Sequence, residues 1–495
     1  MALKRMAASY LGKLQESDYG ISAVASGVVN YFLDSFFQKS DARVMARPEV
    51  RMGPADPITH VKEQWLECDL HTCVTLNRTY PAVFRDLNAW AIAKLFSGPD
   101  AQYEVIPFLD TYEFKDMVKG AYAFRIQSEQ MAVAPGRQAT LPVYGCLFVR
   151  HSGTGAKLFV TIDLCHESMA CVVTVMSRPD LQASVEGFFS DLQSSIAAND
   201  IYFRHCLSYV RGKLDFFSVT PTLWDSIILK DHIKSVIRQN TVGVLENMKA
   251  LAGLGMCPNQ NVILISPPGM AKTTIFRAVS GEVDGEITRI WCTGKSIDSS
   301  RDVTSLFEAA RGLAPCIVII EDMDLFGRDR SSGLLGSDPH VLNEFLACLD
   351  GAQENSGVVV MASTNDIDSM DEALVNRPGR FDVKVEIPFP DAQDRSDMLK
   401  KFLIQYHSVV DSSVSQDTWS TLIHMTEGLT GAYVKLLAKS AVISAASDGR
   451  TSPDGSSCVL SADHLNAAAD HVMKNYRIGQ RAKKHHSAKP DTATD

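Results

Sequence analysis

Two apolar runs, each breaking abruptly into charge, constrain this fold more than any other feature of the 495 residues. The first, ILISPPGMAKTT over 263–274, passes from an aliphatic strand into a Pro-Gly turn and then Lys272-Thr273-Thr274. The second, CIVIIEDMDLF over 316–326, ends its aliphatic stretch in Glu321 and Asp322, fifty residues beyond Lys272. Aliphatic runs without polar alternation read as strands covered on both faces. A third such run, VVVMASTN over 358–365, ends in Asn365. Helical stretches fall between these runs, and that alternation predicts a parallel sheet with flanking helices. Such sheets bind ligands at the carboxyl ends of their strands, which would gather Glu321, Asp322 and Asn365 in one place.

The first run can be set against the phosphate-binding pattern G-x-x-x-x-G-K-[ST]. The eight positions read Ser266-Pro-Pro-Gly269-Met-Ala271-Lys272-Thr273. Pro268, Gly269, Met270, Ala271, Lys272, Thr273 and Thr274 would then wrap a nucleotide's phosphates. Lys272 would reach the β/γ phosphates, Thr273 would ligate Mg²⁺, and the helix beginning at Lys272 would aim its N-terminal amides at the anion. Ser266 and Ala271 stand where the pattern has glycine. Alanine adds one methyl, so a cradle is expected to survive if Ala271 keeps φ negative. Of the two acids, one should hold Mg²⁺ with Thr273 and the other should polarise the attacking water, with Asn365 orienting it. Arg377 and Arg380, three apart in NRPGRFD, suit a γ-phosphate as arginine fingers do.

These motifs resemble the AAA+ ATPases, in the branch with a second region of homology, over about 222–475. NRPGRFDVKVEIPFPD (376–391) carries the most specific likeness. TLWDSIIL (222–229) resembles the family's entry segment, so Ile227 and Ile228 are expected to flank adenine. TEGLTGAYVKLLAKSA (426–441) and SADHLNAAADHV (461–472) resemble helices of the family's lid. The resemblance implies ATP and Mg²⁺ as cofactors and a homo-oligomeric ring, usually a hexamer, in which Arg377 and Arg380 act on a neighbour's ATP. Two departures narrow it. The usual Asp-Glu order is Glu321-Asp322 here, and a shift of register does not restore it, because neighbours on a strand face opposite ways. The span IWCTGKSIDSSRDVTSLFEAAR (290–311) also lacks the aromatic–hydrophobic–Gly loop of threading unfoldases, Trp291 being expected in the core. Both departures are similar to the mitochondrial AAA protein that translocates the folded Rieske subunit and to its bacterial relatives.

The fold expected is therefore α/β: a P-loop AAA+ core with a small helical lid, preceded by an α+β N-terminal domain. The expected segments are a helical and loop region (1–60), the α+β domain (61–215), the ATPase large subdomain (222–392), the lid (393–478) and a disordered tail (479–495). TLPVYGCLFVR (140–150), KLFVTIDL (157–164), MACVVTVMS (169–177) and IYFRHCLSYV (201–210) read as strands of the N-terminal domain, and Asp180–Ala198 as a helix. GKLDFFSVTPT (212–222) reads as a linker.

A net charge of −10 weighs against broad nucleic-acid binding. No run reads as a signal peptide or a membrane span. Eleven cysteines without regular pairing suggest reduced thiols in a cytoplasm-like compartment. Cys68-Asp-Leu-His71-Thr-Cys73 and the Cys165-His166/Cys171 cluster are checked for metal, but lack CxxC spacing and read as structural. The function expected is an ATP-hydrolysing, chaperone-like ring that remodels or moves a protein partner chosen by the N-terminal domain. The alternatives are a nucleotide-gated scaffold with little hydrolysis and an ATPase acting on DNA or RNA.

Overall fold

The computed structural model describes residues 57–97, 101–106, 126–164, 170–325, 339–350, 354–366 and 379–487. Of the helical and loop region expected over 1–60, residues 1–56 lie outside them. The loop expected up to residue 60 gives way at Pro57, where a first helix begins with proline at a position that needs no amide hydrogen.

The N-terminal part builds one antiparallel sheet. Helix α1 (Pro57–Leu66) leads into strand β1 (Val74–Tyr80), helix α2 (Arg85–Phe96) and strands β2 (Tyr103–Ile106), β3 (Gln127–Ala134), β4 (Arg137–His151), β5 (Lys157–Asp163) and β6 (Cys171–Ser177). The sheet order is β1-β6-β5-β4-β2, with β3 also pairing to β4. Strand β6 alternates buried and half-buried residues along its whole length, the pattern of a sheet packed on one face. Helix α3 (Gln182–Ala198) closes that face with Val185, Phe188, Phe189 and Leu192.

The second sheet has seven strands in the order β13-β9-β12-β11-β10-β7-β8. They are β7 (Cys206–Val210), β8 (Lys213–Phe216), β9 (Gln260–Ile265), β10 (Thr288–Thr293), β11 (Cys316–Glu321), β12 (Val358–Thr364) and β13 (Val383–Glu386). All neighbours run parallel except the β7–β8 hairpin. Every residue of β12 is buried, as the unbroken aliphatic runs required. Helices α4 (Asp231–Gln239), α5 (Lys272–Glu282), α6 (Ser300–Gly312) and α7 (Pro339–Leu349) accompany it.

The hairpin corrects the linker expected over 212–222. Arg211 and Gly212 both have positive φ, 48° and 81°, and make the two-residue reversal that suits a right-twisted hairpin. Strand β7, expected in the N-terminal domain, instead pairs with β10 through Arg289, Ile290 and Trp291. The boundary expected at 215 thus falls inside the second sheet. The two parts also share one apolar cluster, containing Val83, Leu87 and Phe188 from the first and Ile290, Leu306 and Phe307 from the second. Trp291 is buried in a strand, as expected.

The lid consists of helices α8 (Ala392–Gln405), α9 (Gln416–Met425), α10 (Gly431–Ser447) and α11 (Ala462–Ser487), plus a two-stranded parallel sheet of β14 (Ser408–Val410) and β15 (Cys458–Leu460) that the sequence did not announce. Asp391 caps α8 by accepting from the Asp394 amide, and Lys230 Nζ donates to Asp391 at 2.6 Å, tying the lid to the start of α4. Helix α11 runs to Ser487, so the disorder expected from 479 is corrected over 479–487. Among the described residues no helix is long and apolar enough to cross a membrane.

Candidate functional site

Strand β9 delivers the 266–271 loop, and α5 begins at Lys272. Gly269 takes φ +84° and Ala271 takes φ +65°, ψ 19°. The expectation that Ala271 keeps φ negative is therefore wrong. The loop needs a left-handed residue just before the helix, which is why the pattern has glycine there. An L-residue in that region costs about 1–2 kcal/mol. Gly269 is required on a second ground as well. A Cβ there would come within 2.8 Å of Ala432 Cβ and of Thr430 Oγ1.

Lys272 is buried at 8% exposure, and its ammonium is fully engaged. It donates to the Ser266 carbonyl at 2.6 Å, to Ser266 Oγ at 3.2 Å, to the Pro267 carbonyl at 3.3 Å and to Asn365 Oδ1 at 2.9 Å. Burial lowers its pKa, opposed by the charges of Asp322 and Asp324. Asn365 passes the contact onward: its Nδ2 donates to Asp322 Oδ1 at 3.2 Å, and its backbone amide donates to Asp324 Oδ1 at 3.3 Å. Thr273, exposed at the start of α5, donates to Glu321 Oε2 at 3.2 Å. Thr274 is half-buried on the next position.

The order of the two acids now has a geometric account. Glu321 is the last residue of β11. Asp322 leaves the strand with φ +51°, and its amide donates to Ser363 Oγ at 3.2 Å. Strand alternation, expected to turn the two carboxylates apart, stops at that bend. Glu321 faces Thr273 and Asp322 faces Asn365, so both serve the same site. Burial raises the Glu321 pKa, the Thr273 hydrogen bond works against that, and the Asp322 charge adds to the rise.

The lid reaches the loop directly. The Ala432 amide donates to the Gly269 carbonyl at 3.1 Å. Thr430, just before α10, is 5% exposed, and among the described residues its hydroxyl has no hydrogen-bond partner. Ile227 is buried in the apolar cluster that also holds Met270, Ile275 and Phe276 behind the loop, while Ile228 is half-buried. Pro268 is exposed.

Arg377 lies outside the described residues. Arg380 is 4% exposed and grips Asp350 of its own chain, Nε to Oδ1 and Nη2 to Oδ2, both at 2.8 Å. Phe381, beside it, is buried and stacks on Phe345 at 6.4 Å. An arginine placed so does not reach a neighbour without breaking a bidentate pair.

The site thus unites Lys272, Thr273, Glu321, Asp322 and Asn365. Sequence reasoning missed Ser266, Ser363, Asp324 and Thr430. Ser266 was read only as a missing glycine, and Asp324 stood in view two residues past Asp322. Ser363 and Thr430 carry no local signal, because their roles depend on chain brought in from elsewhere.

The residues fit Mg²⁺ with a nucleotide. Thr273 Oγ1 and Glu321 Oε2 form a hard-oxygen pair beside a lysine and a helix start, and Mg²⁺ characteristically takes one or two protein oxygens together with phosphates. Among the described residues no group of three or more His, Cys, Asp or Glu side chains offers an all-protein metal cage.

Comparison with known proteins agrees with this geometry. Residues 262–389 match the model of the ATPase family associated with various cellular activities (AAA). The chain is 32% identical over 251 residues to the ATP-dependent zinc metalloprotease YME1L of Drosophila melanogaster, covering 49% of this chain and 32% of that protein. It is 36% identical over 242 residues to FtsH of a Synechococcus strain, covering 47% and 35%. Against human YME1L1 the identity is 32% over 234 residues, covering 44% and 29%. The chain spans about a third of the length of each of these relatives. Its 262–389 segment is an AAA ATPase domain on a P-loop α/β sheet, and about half of the chain is homologous to the FtsH and YME1L proteins.

Proposed function

We propose that this chain hydrolyses ATP with Mg²⁺ and uses the cycle, in a ring of its own copies, to remodel or move a protein partner engaged by the N-terminal part. The single observation that carries the ATPase reading is the hydrogen-bonded line Lys272–Asn365–Asp322, set beside the Thr273–Glu321 pair. Bound Mg-ATP supplies the labile phosphoanhydride and a Lewis acid for its oxygens. Thr273 and Glu321 would hold the metal. Lys272, now satisfied by Ser266 and Asn365, would exchange those partners for phosphate oxygens. Asp322 accepts a hydrogen bond from Asn365, so the amide fixes the carboxylate that takes the proton from water, and Asn365 orients that water. Steady-state phosphate release by the wild type and Lys272→Ala tests this. Turnover confined to the wild type supports the reading, and equal rates refute it.

Remodelling rather than threading is supported by the span 290–311, which lacks an aromatic–hydrophobic–Gly loop. The zinc-protease activity in the relatives' names is not part of the proposal. His166-Glu167 is the one His-Glu pair in the sequence, and position 170 is alanine, so no H-E-x-x-H is present. The likeness to the Rieske-subunit translocase rests on the Glu321-Asp322 order and the short 290–311 span, and it favours movement of a folded partner. A cytoplasm-like location is proposed on the unpatterned cysteines. The bidentate Asp350 pair favours an anchoring role in its own chain for Arg380. Ala271 favours a second reading, a nucleotide-gated scaffold with little hydrolysis, because a strained loop holds phosphate less well. The Ala271→Gly variant separates the two: a large rise in turnover from a near-zero wild-type rate supports the scaffold.

A further inference from the structure

The motif Cys68-Asp-Leu-His71-Thr-Cys73 is not absorbed by the ATPase site. It forms the turn between α1 and β1, and β1 is an edge strand of the N-terminal sheet. The Thr72 amide donates to the Asp69 carbonyl at 2.9 Å and the His71 amide to Asp69 Oδ1 at 2.8 Å, so the turn is closed by its own hydrogen bonds. The closure brings Cys68 Sγ and Cys73 Sγ to 2.7 Å, with both residues only half-buried. Among the described residues no third His, Cys, Asp or Glu joins them as a metal group. Both cysteines pack against the small cluster of Val61, Trp65, Leu66, Phe148 and Phe159, which seats α1 on the sheet.

We propose that Cys68 and Cys73 are a reversible dithiol–disulfide modification site, closed by a low-molecular-weight disulfide and reopened by a thiol. The balance is simple. One cysteine thiolate attacks a sulfur of the oxidant and expels one thiolate, giving a mixed disulfide on the protein. The second cysteine attacks that protein sulfur and expels the other thiolate. Two electrons pass to the oxidant, two protons leave the cysteines, and the oxidant ends as two thiols. The sulfurs already touch, so closure needs only rotation of side chains and no movement of α1 away from its seat. Burial and the neighbouring Cys68 raise the Cys73 pKa to about 12, so little Cys73 thiolate forms near neutral pH. Cys171, Cys292, Cys316 and Cys458 are buried and do not compete.

The test uses the full chain. Reduced protein is incubated with oxidised glutathione, quenched with acid, alkylated and digested with trypsin. Both cysteines fall in the single peptide Glu63–Arg78. The expected product is that peptide lacking two hydrogens and carrying no alkyl group, restored to the doubly alkylated form by dithiothreitol. In Cys68→Ser, Cys73 is expected to remain alkylatable or to carry one glutathione. A wild-type peptide that ends doubly alkylated, or with glutathione on either cysteine and no closed form at pH 8, overturns the proposal. The readout is independent of ATP turnover, so failure of the ATPase reading leaves it standing.

Discussion

Three residues set how the phosphate site works, and each is testable alone. Ala271 sits at φ +65° in a position made for glycine. Ala271→Gly removes the clash between Cβ and carbonyl but loosens the unfolded chain, so a net gain of about 0.5–1 kcal/mol is expected. A denaturant melt checks it, and a loss of stability would mean the left-handed turn is not strained here. Asp322→Asn should keep ATP binding and lower turnover by roughly 10²–10⁴-fold, the range for a lost general base, as seen by paired binding and phosphate-release assays. Glu321 yields a pH signature. Its folded-state pKa is raised by burial above the ordinary 4.5, so the protonated form is favoured in the fold. Its stabilising contribution is therefore full below the ordinary carboxylate range and is lost as pH rises through the raised value. Glu321→Gln should remove that pH dependence, and melting wild type and variant in parallel from pH 4 upward would reveal it. The presence of these residues was legible because phosphate and metal chemistry need lysine, threonine and acids at fixed places. Their backbone angles were not. A letter such as Ala271 or Asp322 names a side chain, and the left-handed turn it adopts is imposed by the strand and helix on either side.

At the scale of elements, Arg380 and Phe381, just ahead of β13, are held against the end of α7. Arg380 holds Asp350 at the end of α7, and Phe381 packs on Phe345 of the same helix. Asp350→Ala would strand a buried guanidinium, at a cost of about 3–5 kcal/mol for a fully enclosed pair and less here because Asp350 is 32% exposed. A double-mutant cycle with Arg380→Ala should show strong coupling, the double variant melting no lower than the worse single. Because Arg380 is engaged within its own chain, mixing Arg380→Ala with Lys272→Ala subunits should restore little turnover. Substantial restoration would place the guanidinium on a neighbour's nucleotide instead. The sequence offered NRPGRFD as two equal arginines. Nothing in it distinguishes the two, since the partner that claims Arg380 lies thirty residues upstream on another element.

At the scale of the whole molecule, the strands that carry the motifs were readable because parallel strands buried on both faces leave long aliphatic runs. The pairing of β7 with β10 was not, because a half-buried strand shows the same alternation whichever sheet it joins. Gly212, Ser218 and Pro221 gave 212–222 the composition of a linker, although Lys213–Phe216 is a strand. The shared apolar cluster predicts one cooperative thermal transition for the N-terminal and ATPase parts together, measurable by calorimetry as agreement between calorimetric and van't Hoff enthalpies. A chain starting at Thr222 would lose β7 and bare the edge of β10, and should aggregate more readily than the longer chain. The hairpin therefore limits modularity. Exchanging the N-terminal part between relatives by cutting at the change in composition would split a sheet in two, whereas a graft joined near Asn199, ahead of β7, would carry the second sheet across whole. What reads as a seam in the sequence is a weld in the fold, and any exchange of the N-terminal part must cut upstream of it.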